Sequence, residues 1–422
     1  MTGLRGIIER SHRQVANLGV YFMASLVPMV LSLAANPLLA SNLSPEDYSI
    51  IGYYSAFTVL FTPFVTFYLL NYYTKRYYEL TPDRRNILRG TLVRALSTFS
   101  FLLAALSLLF LYIYMSFFNA ESEIRFLPYA LLANVSIPLT GVYSLALVDY
   151  RMRRDSKGFF RLSVGNGVLG VALALLLVVV FRLGAFGRLS ATSLAALLVF
   201  LFLMYRNRDV WRMPFGWDIL WKSVRFCSPL VVAAMLGFFS NGYDKVMLER
   251  NGDLHSLGIY TVGFSIASYI SVFSNSINDT FQPDIFESVV SRDFRRCFRF
   301  VLLKLSLMTV LAALFILVSP LVVRILTAGR YMESLPYANI IALSSITSMM
   351  YYSMSQVTIA LGYTYVTLAN KVLGSVLSIA SFYFLITRFG ATGAAWGTVL
   401  SYLYFFLGNV LMVAIVHKCH RR

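Results

Sequence analysis

The fold is decided by the stretch from Pro229 to Glu287, which reads PLVVAAMLGFFSNGYDKVMLERNGDLHSLGIYTVGFSIASYISVFSNSINDTFQPDIFE. Two apolar segments flank a short polar loop at 249–256, and this pattern predicts a pair of membrane-spanning helices. The first segment ends near Asp244 and Lys245. The second carries three amides and an acid, which are Asn275, Asn278, Asp279 and Gln282. Such side chains usually face a bundle interior or a water-filled cavity, so this helix pair is the first candidate for a functional site.

The composition of the whole chain agrees with a membrane protein. The 422 residues are 58% hydrophobic and 13% charged, with a mean hydropathy of +0.69, whereas a soluble protein has about 25% charged residues. The formal charge of +17 is spread in short clusters between apolar runs, which argues against nucleic acid as a partner. The three cysteines and four histidines form no metal-ligand spacing, so we expect neither a metal nor another cofactor.

Twelve apolar runs are long enough to be spanning helices. They lie at about 15–39, 48–72, 91–117, 125–149, 160–182, 189–205, 225–246, 257–282, 299–325, 335–361, 366–388 and 391–416. With the N-terminus inside, 25 Lys and Arg residues fall in cytoplasmic segments and 8 in external ones. This positive-inside bias predicts that both termini are cytoplasmic.

The longest polar break falls at the midpoint, so the sequence predicts two six-helix lobes. We expect an N-terminal lobe at 1–205, a cytoplasmic linker at 206–224 and a C-terminal lobe at 225–422. A shift of 209 positions lays the apolar run Val20–Leu39 over Pro229–Leu248. Because each half has an even number of spans, the two lobes are predicted to be parallel repeats.

Polar residues recur at helical spacing on several of these spans. Ser and Thr stripes are ordinary packing residues in membrane helices, but the amides and acid of the eighth span favour a cavity wall. Asp279 and Lys371 lie in the cytoplasmic third of their spans, so we expect them to face a shared hydrated interior, where a contact would keep both charged. Neighbouring residues on a helix point apart, so Asp244 and Lys245 are predicted not to pair. Arg94 is expected to reach back to the membrane interface.

The chain resembles a known family along nearly its whole length. The pattern P-L…N-x-x-D-K…G-x-Y is carried by Pro229, Leu230, Asn241, Asp244, Lys245, Gly258 and Tyr260. With the opening at 21–57 and the ending around Asn370, Lys371 and 389–397, it is similar to the polysaccharide-unit (O-antigen) flippases of the multidrug/oligosaccharidyl-lipid/polysaccharide (MOP) exporter superfamily.

The resemblance implies a MATE-like, all-α membrane protein whose two lobes surround a central cavity. It implies a substrate linked to undecaprenyl pyrophosphate, moved across the bacterial inner membrane by alternating access, with membrane lipid around it. A polysaccharide polymerase and a chain-length regulator would be candidate partners. The candidate residues for lining the cavity or binding substrate are Asn36, Arg94, Asp244, Lys245, Asn275, Asn278, Asp279, Gln282, Asn370 and Lys371.

Three other functions compete with this interpretation. A multidrug or cation antiporter of the same fold would need buried acids, which are few here. A lipid II flippase resembles a fourteen-helix plan, whereas this chain has twelve predicted spans. An enzyme such as a glycosyltransferase or polymerase would need an acidic motif on a soluble domain or a large external loop, and the sequence has neither, so no enzymatic activity is expected.

Overall fold

The protein is helical throughout the part of the chain that the structure describes. The computed structural model describes the backbone of residues 2–211 and 213–420 and the side chains of residues 20–210, 213–363 and 365–415. The first helices are α1 (Thr2–Asn42), α2 (Pro45–Thr66), α3 (Leu69–Arg76), α4 (Pro82–Ile113), α5 (Tyr129–Met152), α6 (Ser156–Ala174), α7 (Gly184–Arg206) and α8 (Arg208–Trp211). The remaining helices are α9 (Trp217–Met235), α10 (Phe238–Asn241), α11 (Tyr243–Arg250), α12 (Leu254–Ala267), α13 (Ile270–Val290), α14 (Phe294–Leu326), α15 (Leu335–Ala360) and α16 (Thr364–His420).

Ten helical segments of the described chain are long and apolar enough to cross a membrane. One of them, Tyr365–Ile415, is 51 residues long and contains Gly390, whose φ of 55° and ψ of −134° interrupt the helix between two predicted spans. The predicted span at 335–361 corresponds to α15, which is 26 residues long and carries five serines. Each of the twelve predicted spans therefore coincides with helical structure, and the predicted all-α membrane fold is confirmed.

Short loops between the long helices are closed by aspartate caps. Asp155, Asp253 and Asp293 each accept a hydrogen bond from a backbone N–H three residues later, at the start of α6, α12 and α14. The carboxylates satisfy amide groups that the first helical turn leaves without partners. Each of these three helices therefore begins after an aspartate N-cap, a side chain suited to a helix end in a polar loop.

The chain divides into two compact units. The first unit contains residues 1–43, 61–120 and 125–232, and the second contains residues 44–60, 121–124 and 233–422. The lobes predicted at 1–205 and 225–422 stay a prediction, because the units are defined by contacts and not by membrane topology. In the first unit, α1 packs against α6, while α5 packs against α4 and α7.

In the second unit, α15 is the central helix. It packs against α12, α13, α14 and α16, and between Ala338 and Ala360 only Tyr352 and Ile359 are exposed. The start of α2 also belongs here: a Cβ on Gly258 would clash with the carbonyl oxygen of Pro45. Glycine at 258 thus permits the close backbone approach by which membrane helices gain packing energy.

Candidate functional site

One face of α13 is polar and exposed, although the helix belongs to a membrane-spanning segment. Asn275, Asp279 and Gln282 are exposed on it, and Asn278 is half-buried beside them. Amides and carboxylates are costly to place against lipid, because hydrocarbon offers no hydrogen-bond partners. The exposed face of α13 is therefore suited to water or to a polar ligand, and its place in a cavity wall stays a prediction.

A fully buried lysine lies behind this face. The Lys304 ammonium of α14 donates to Oδ1 of Asn278 at 2.9 Å and to Oε1 of Gln356 at 3.1 Å. The amide of Gln356, on α15, in turn donates to the same Asn278 oxygen at 3.1 Å. Three helices of the second unit are thus joined by one polar network that begins at the exposed face of α13. Lys304 and Gln356 are absent from the predicted site.

The structure does not form the predicted contact between Asp279 and Lys371. The Lys371 ammonium donates to the backbone carbonyl of Ala233 at 2.9 Å, and within the described part of the chain it has no carboxylate within ion-pair distance. That carbonyl lies near the end of α9, where the helix stops at Met235 and leaves carbonyl groups without intrahelical partners. The partner of Lys371 is therefore a carbonyl group at the end of α9, whereas the sequence had predicted the Asp279 carboxylate.

Asp244 and Lys245 form a buried ion pair, so the prediction that they do not pair is wrong. The Lys245 ammonium lies 3.5 Å from Oδ2 of Asp244, and Tyr260 donates its hydroxyl hydrogen to the same oxygen. The ammonium also lies 3.5 Å from the centre of the Phe264 ring. Both charged residues are buried, and the flexible lysine stem lets the ammonium turn back to its neighbour, where low dielectric strengthens the attraction.

The other predicted residues occupy separate places in the two units. Arg94 donates to the carbonyls of Met213 at 2.5 Å and Gly90 at 3.3 Å, so it holds the chain after α8. Asn370 is buried and donates to the carbonyl of Phe405 at 2.7 Å. Asn36 is half-buried in α1 of the first unit. Of the predicted α13 residues, Asn278 takes part in the network with Lys304 and Gln356, and the roles of the other predicted residues stay predictions.

The first unit holds its own buried charge cluster, which sequence reasoning missed. Asp149 lies 3.2 Å from Arg89 and 2.9 Å from Arg153, and accepts a 2.6 Å hydrogen bond from Tyr73. Arg89 also donates to Asn207 at 2.8 Å. Burial and the Asp149 charge both raise the pKa of the Tyr73 phenol above its ordinary value. The cluster joins the ends of α3, α4, α5 and α7, and its hydrogen bonds and ion pairs are suited to a structural role as a tie between these helices.

No group of three or more His, Cys, Asp and Glu side chains that could hold a metal ion occurs among the described residues. The polar groups of the candidate site are amides, a carboxylate and lysine ammonium groups, which can bind polar molecules by hydrogen bonds, and the ammonium groups can bind anions by charge.

A sequence profile described as "Polysaccharide biosynthesis protein" matches residues 38–336, which is more than two thirds of the chain. The protein belongs to this family. No curated protein sequence matches the chain.

Solved structures show the fold of this polysaccharide biosynthesis family member. An inward-facing multidrug resistance MATE family transporter of the MOP superfamily matches with a TM-score of 0.64 and 14% identity, covering 94% of this chain and 99% of the other. The lipid II flippase MurJ matches with a TM-score of 0.67 and 14% identity, covering 93% and 87%. The Vibrio cholerae MATE transporter VcmN matches with a TM-score of 0.54 and 15% identity, covering 95% and 98%. The predicted family resemblance and the MATE-like fold are confirmed.

Proposed function

We propose that this protein is a flippase that moves an oligosaccharide linked to undecaprenyl pyrophosphate across the bacterial inner membrane. The observation that carries the proposal is the exposed polar face of α13, formed by Asn275, Asp279 and Gln282. A sugar–pyrophosphate head does not cross hydrocarbon alone at a useful rate, because its charge and hydroxyls would be buried without partners. A polar helix face within the membrane replaces water around that head while the lipid tail stays in the bilayer.

The family and the fold support this assignment. The matched profile describes polysaccharide biosynthesis, and MurJ, which has a similar fold, is named a lipid II flippase. Alternating access between two lobes around a central cavity would expose the polar face first to the cytoplasm and then to the periplasm. Within this proposal the substrate is an O-antigen unit or a related surface-polysaccharide unit, both termini are cytoplasmic, and the protein catalyses no reaction.

The predicted residues take different roles in the proposal. Asn275, Asn278, Asp279 and Gln282 contact the head group, and Arg94, Asn36 and Asn370 support helices within their own units. Lys371 and the Asp244–Lys245 pair fix the broken segment that contains α9, α10 and α11. A polysaccharide polymerase would then accept the flipped unit outside, with a chain-length regulator beside it.

Deletion of the gene in its own host tests the function. We expect loss of surface polysaccharide and accumulation of the lipid-linked unit on the inner leaflet, with rescue by the wild-type gene. Normal polymer in a deletion strain that has no second flippase would refute the proposal. Sensitivity of that strain to cationic dyes, with normal polymer, would identify a drug antiporter instead.

Variants of the polar face test the observation behind the proposal. Asn275→Leu with Gln282→Leu should restore less than a tenth of the wild-type polymer, because two hydrogen-bonding groups are replaced by alkyl groups of similar size. The control is Leu317→Ala on α14, a side chain that is 76% exposed on an apolar surface. This control should restore normal polymer at a similar amount of protein in the membrane.

A further inference from the structure

Helix α15 exposes one aromatic side chain in a part of the helix that is otherwise enclosed. Tyr352 is 40% exposed, and Ile359 is the other exposed residue between Ala338 and Ala360. Tyr352 lies eight residues before the end of the helix at Ala360, which is about 12 Å along its axis. Tyrosines that anchor a membrane helix lie at the membrane interface, so Tyr352 is too far from the helix end for that role.

Helices α13 and α15 of the second unit run side by side in the same direction. Near their starts, Ile270 and Ala342 belong to one apolar cluster. Near their ends, Val357 packs against the cluster that contains Ile285. A residue one turn earlier on α13 therefore lies at the level of a residue one turn earlier on α15.

This alignment places Tyr352 at the level of Asn275. Gln356 of α15 donates to Oδ1 of Asn278 of α13 at 3.1 Å, which fixes the register of the two helices. Tyr352 and Asn275 precede the two bonded residues by about one helical turn. Because Asn278 joins the polar face of α13 to α15, the exposed Tyr352 ring lies beside that face.

Other aromatic rings hold Tyr352 from the protein side. Its ring centre lies 5.2 Å from that of Tyr351 and 6.3 Å from that of Tyr402, and both of these residues are buried. Tyr351 also packs on Phe405 at 5.4 Å, and Tyr402 donates to Asn241 at 2.8 Å. Aromatic pairs of this kind favour a defined ring geometry, so the Tyr352 ring is supported on one side and accessible on the other.

The exposed groups beside Tyr352 suit a sugar better than a phosphate. The polar face of α13 presents the Asp279 carboxylate among amides, and α13 contains no Lys or Arg. The Lys304 ammonium behind the face is enclosed and bonded to Asn278 and Gln356. A phosphate on this face would be repelled by Asp279, whereas amides and a carboxylate form hydrogen bonds with sugar hydroxyls.

A pyranose ring has a polar rim and an apolar face, and the residues here match both. The hydroxyls of the rim need hydrogen-bond partners, which Asn275 and Asp279 supply. The C–H groups of the face carry a small positive charge and are attracted to the negative face of an aromatic ring, which Tyr352 supplies. Removal of both apolar surfaces from water adds to the attraction.

We propose that Tyr352 is the sugar-binding platform of the substrate site. This inference rests on the proposed function and assigns the two parts of the head group. One pyranose of the oligosaccharide stacks its C–H face on the Tyr352 ring and bonds its hydroxyls to Asn275, while the pyrophosphate lies away from the polar face of α13. The platform selects repeat units that contain a hexopyranose with only hydrogens on one face.

Sugar binding is measured on the purified protein with the repeat-unit oligosaccharide of the host, after mild acid has removed its lipid and phosphate. The protein is deuterated except at its tyrosine rings, these ring protons are saturated, and transfer of saturation to the sugar is detected by NMR. We expect transfer to the C–H protons on one face of one pyranose. Equal transfer to every ring of the oligosaccharide, or no transfer, would overturn the inference.

Variants of Tyr352 separate the aromatic face from the hydroxyl. Tyr352→Leu and Tyr352→Met remove the face and should weaken binding of the oligosaccharide by about three- to tenfold. Tyr352→Phe keeps the face and should bind like the wild-type protein. The matched control is Tyr383→Leu on α16, a tyrosine that is 63% exposed, and it should also bind normally. A loss in Tyr352→Phe as large as in Tyr352→Leu would show that the hydroxyl binds the sugar, and the inference would be wrong.

The same variants in the deletion strain separate the two proposals. At equal amounts of protein in the membrane, Tyr352→Phe and Tyr383→Leu should restore normal polymer, and Tyr352→Leu should restore less. If the deletion strain itself makes normal polymer, the proposed function fails, and the NMR measurement still decides whether Tyr352 binds a sugar. If polymer is lost on deletion and Tyr352→Leu binds the oligosaccharide and restores polymer like the wild type, the inference fails and the function stands.

Discussion

Three lysines in the second unit are each held by a different kind of partner; Lys245 and Lys304 are buried and Lys371 is half-buried. Lys245 pairs with a carboxylate, Lys304 contacts two amide oxygens, and Lys371 contacts a backbone carbonyl. A full ion pair hides charge from the membrane most completely, whereas amide and carbonyl dipoles leave the net charge in place. The loss of stability on removing one partner should therefore differ among the three lysines, and this difference is testable.

The Asp244–Lys245 pair should behave as a unit. Lys245→Met leaves a buried carboxylate alone, and we expect a loss of about 3–5 kcal/mol of stability. Asp244→Asn with Lys245→Met removes both charges and keeps an acceptor for the Tyr260 hydroxyl, so it should be closer to the wild-type protein. Thermal unfolding in detergent or, if a variant does not accumulate, its amount in the membrane measures the effect. Equal damage in the single and double variants would contradict the pairing.

Removal of the Asp149 carboxylate should destabilise the first unit. Asp149→Asn leaves Arg89 and Arg153 without their counterion, and Arg89 is mostly buried, so we expect a loss of about 3 kcal/mol or more. The matched control is Asp218→Asn, which breaks an exposed pair with Lys222 and should change stability by about 0–1 kcal/mol. The two variants are compared by unfolding in the same detergent, and a similar effect for both would argue against the cluster as a structural tie.

At the scale of the element, two polar contacts of the second unit lie beside helix breaks. Helix α16 is interrupted at Gly390, and the seventh predicted span is divided by Gly237 and Gly242 into α9, α10 and α11. A break frees backbone groups that other side chains must satisfy. Asn241, at the end of α10, accepts a 2.8 Å hydrogen bond from Tyr402, and Ala233 accepts one from Lys371. The contacts that Tyr402 and Lys371 make therefore lie beside the breaks between α9, α10 and α11.

Replacement of Gly390 should reduce stability, because its φ and ψ angles lie in a region that residues with a side chain adopt only with strain. With φ at 55° and ψ at −134°, Gly390→Ala is expected to reduce stability by about 1–3 kcal/mol. The control is Gly170→Ala in α6, where an added Cβ meets nothing within 4 Å and the helical backbone favours alanine by about 0.5–1 kcal/mol. Thermal unfolding should shift in opposite directions, and a stabilising Gly390→Ala would contradict the strained geometry.

The lengths of the apolar runs in the sequence predict the helices of this chain well, but they do not predict which side chains contact each other. A run of about 20 apolar residues must form its hydrogen bonds internally, so each predicted span has a helix. The breaks at Gly237 and Gly242 depend on packing and lie within one apolar run. Lys304 could have been found from its position inside an apolar run, since a lone charge at membrane depth needs partners. Its contact with Gln356, 52 residues later, required the packing of α14 on α15.

At the scale of the whole molecule, we expect both termini and residues 206–224 to be cytoplasmic. The reason is the excess of Lys and Arg in alternate loops, 25 against 8. Fusions of a periplasm-active and a cytoplasm-active reporter after residues 210, 328 and 422 measure the orientation. Cytoplasmic activity is expected at 210 and 422 and periplasmic activity at 328. An external signal at 210 or 422 would refute the predicted topology.

The division of α2 between the two units sets the order in which the chain can be assembled. Within α2, residues 45–60 belong to the second unit and residues 61–66 to the first. Ser49 donates to the carbonyl of Leu254, which the ribosome adds 205 residues later. At about 5–20 residues per second, that partner arrives roughly 10–40 s after Ser49. During this time Ser49 lacks this native partner, so nascent chains stopped before residue 254 should depend on a membrane chaperone to escape degradation.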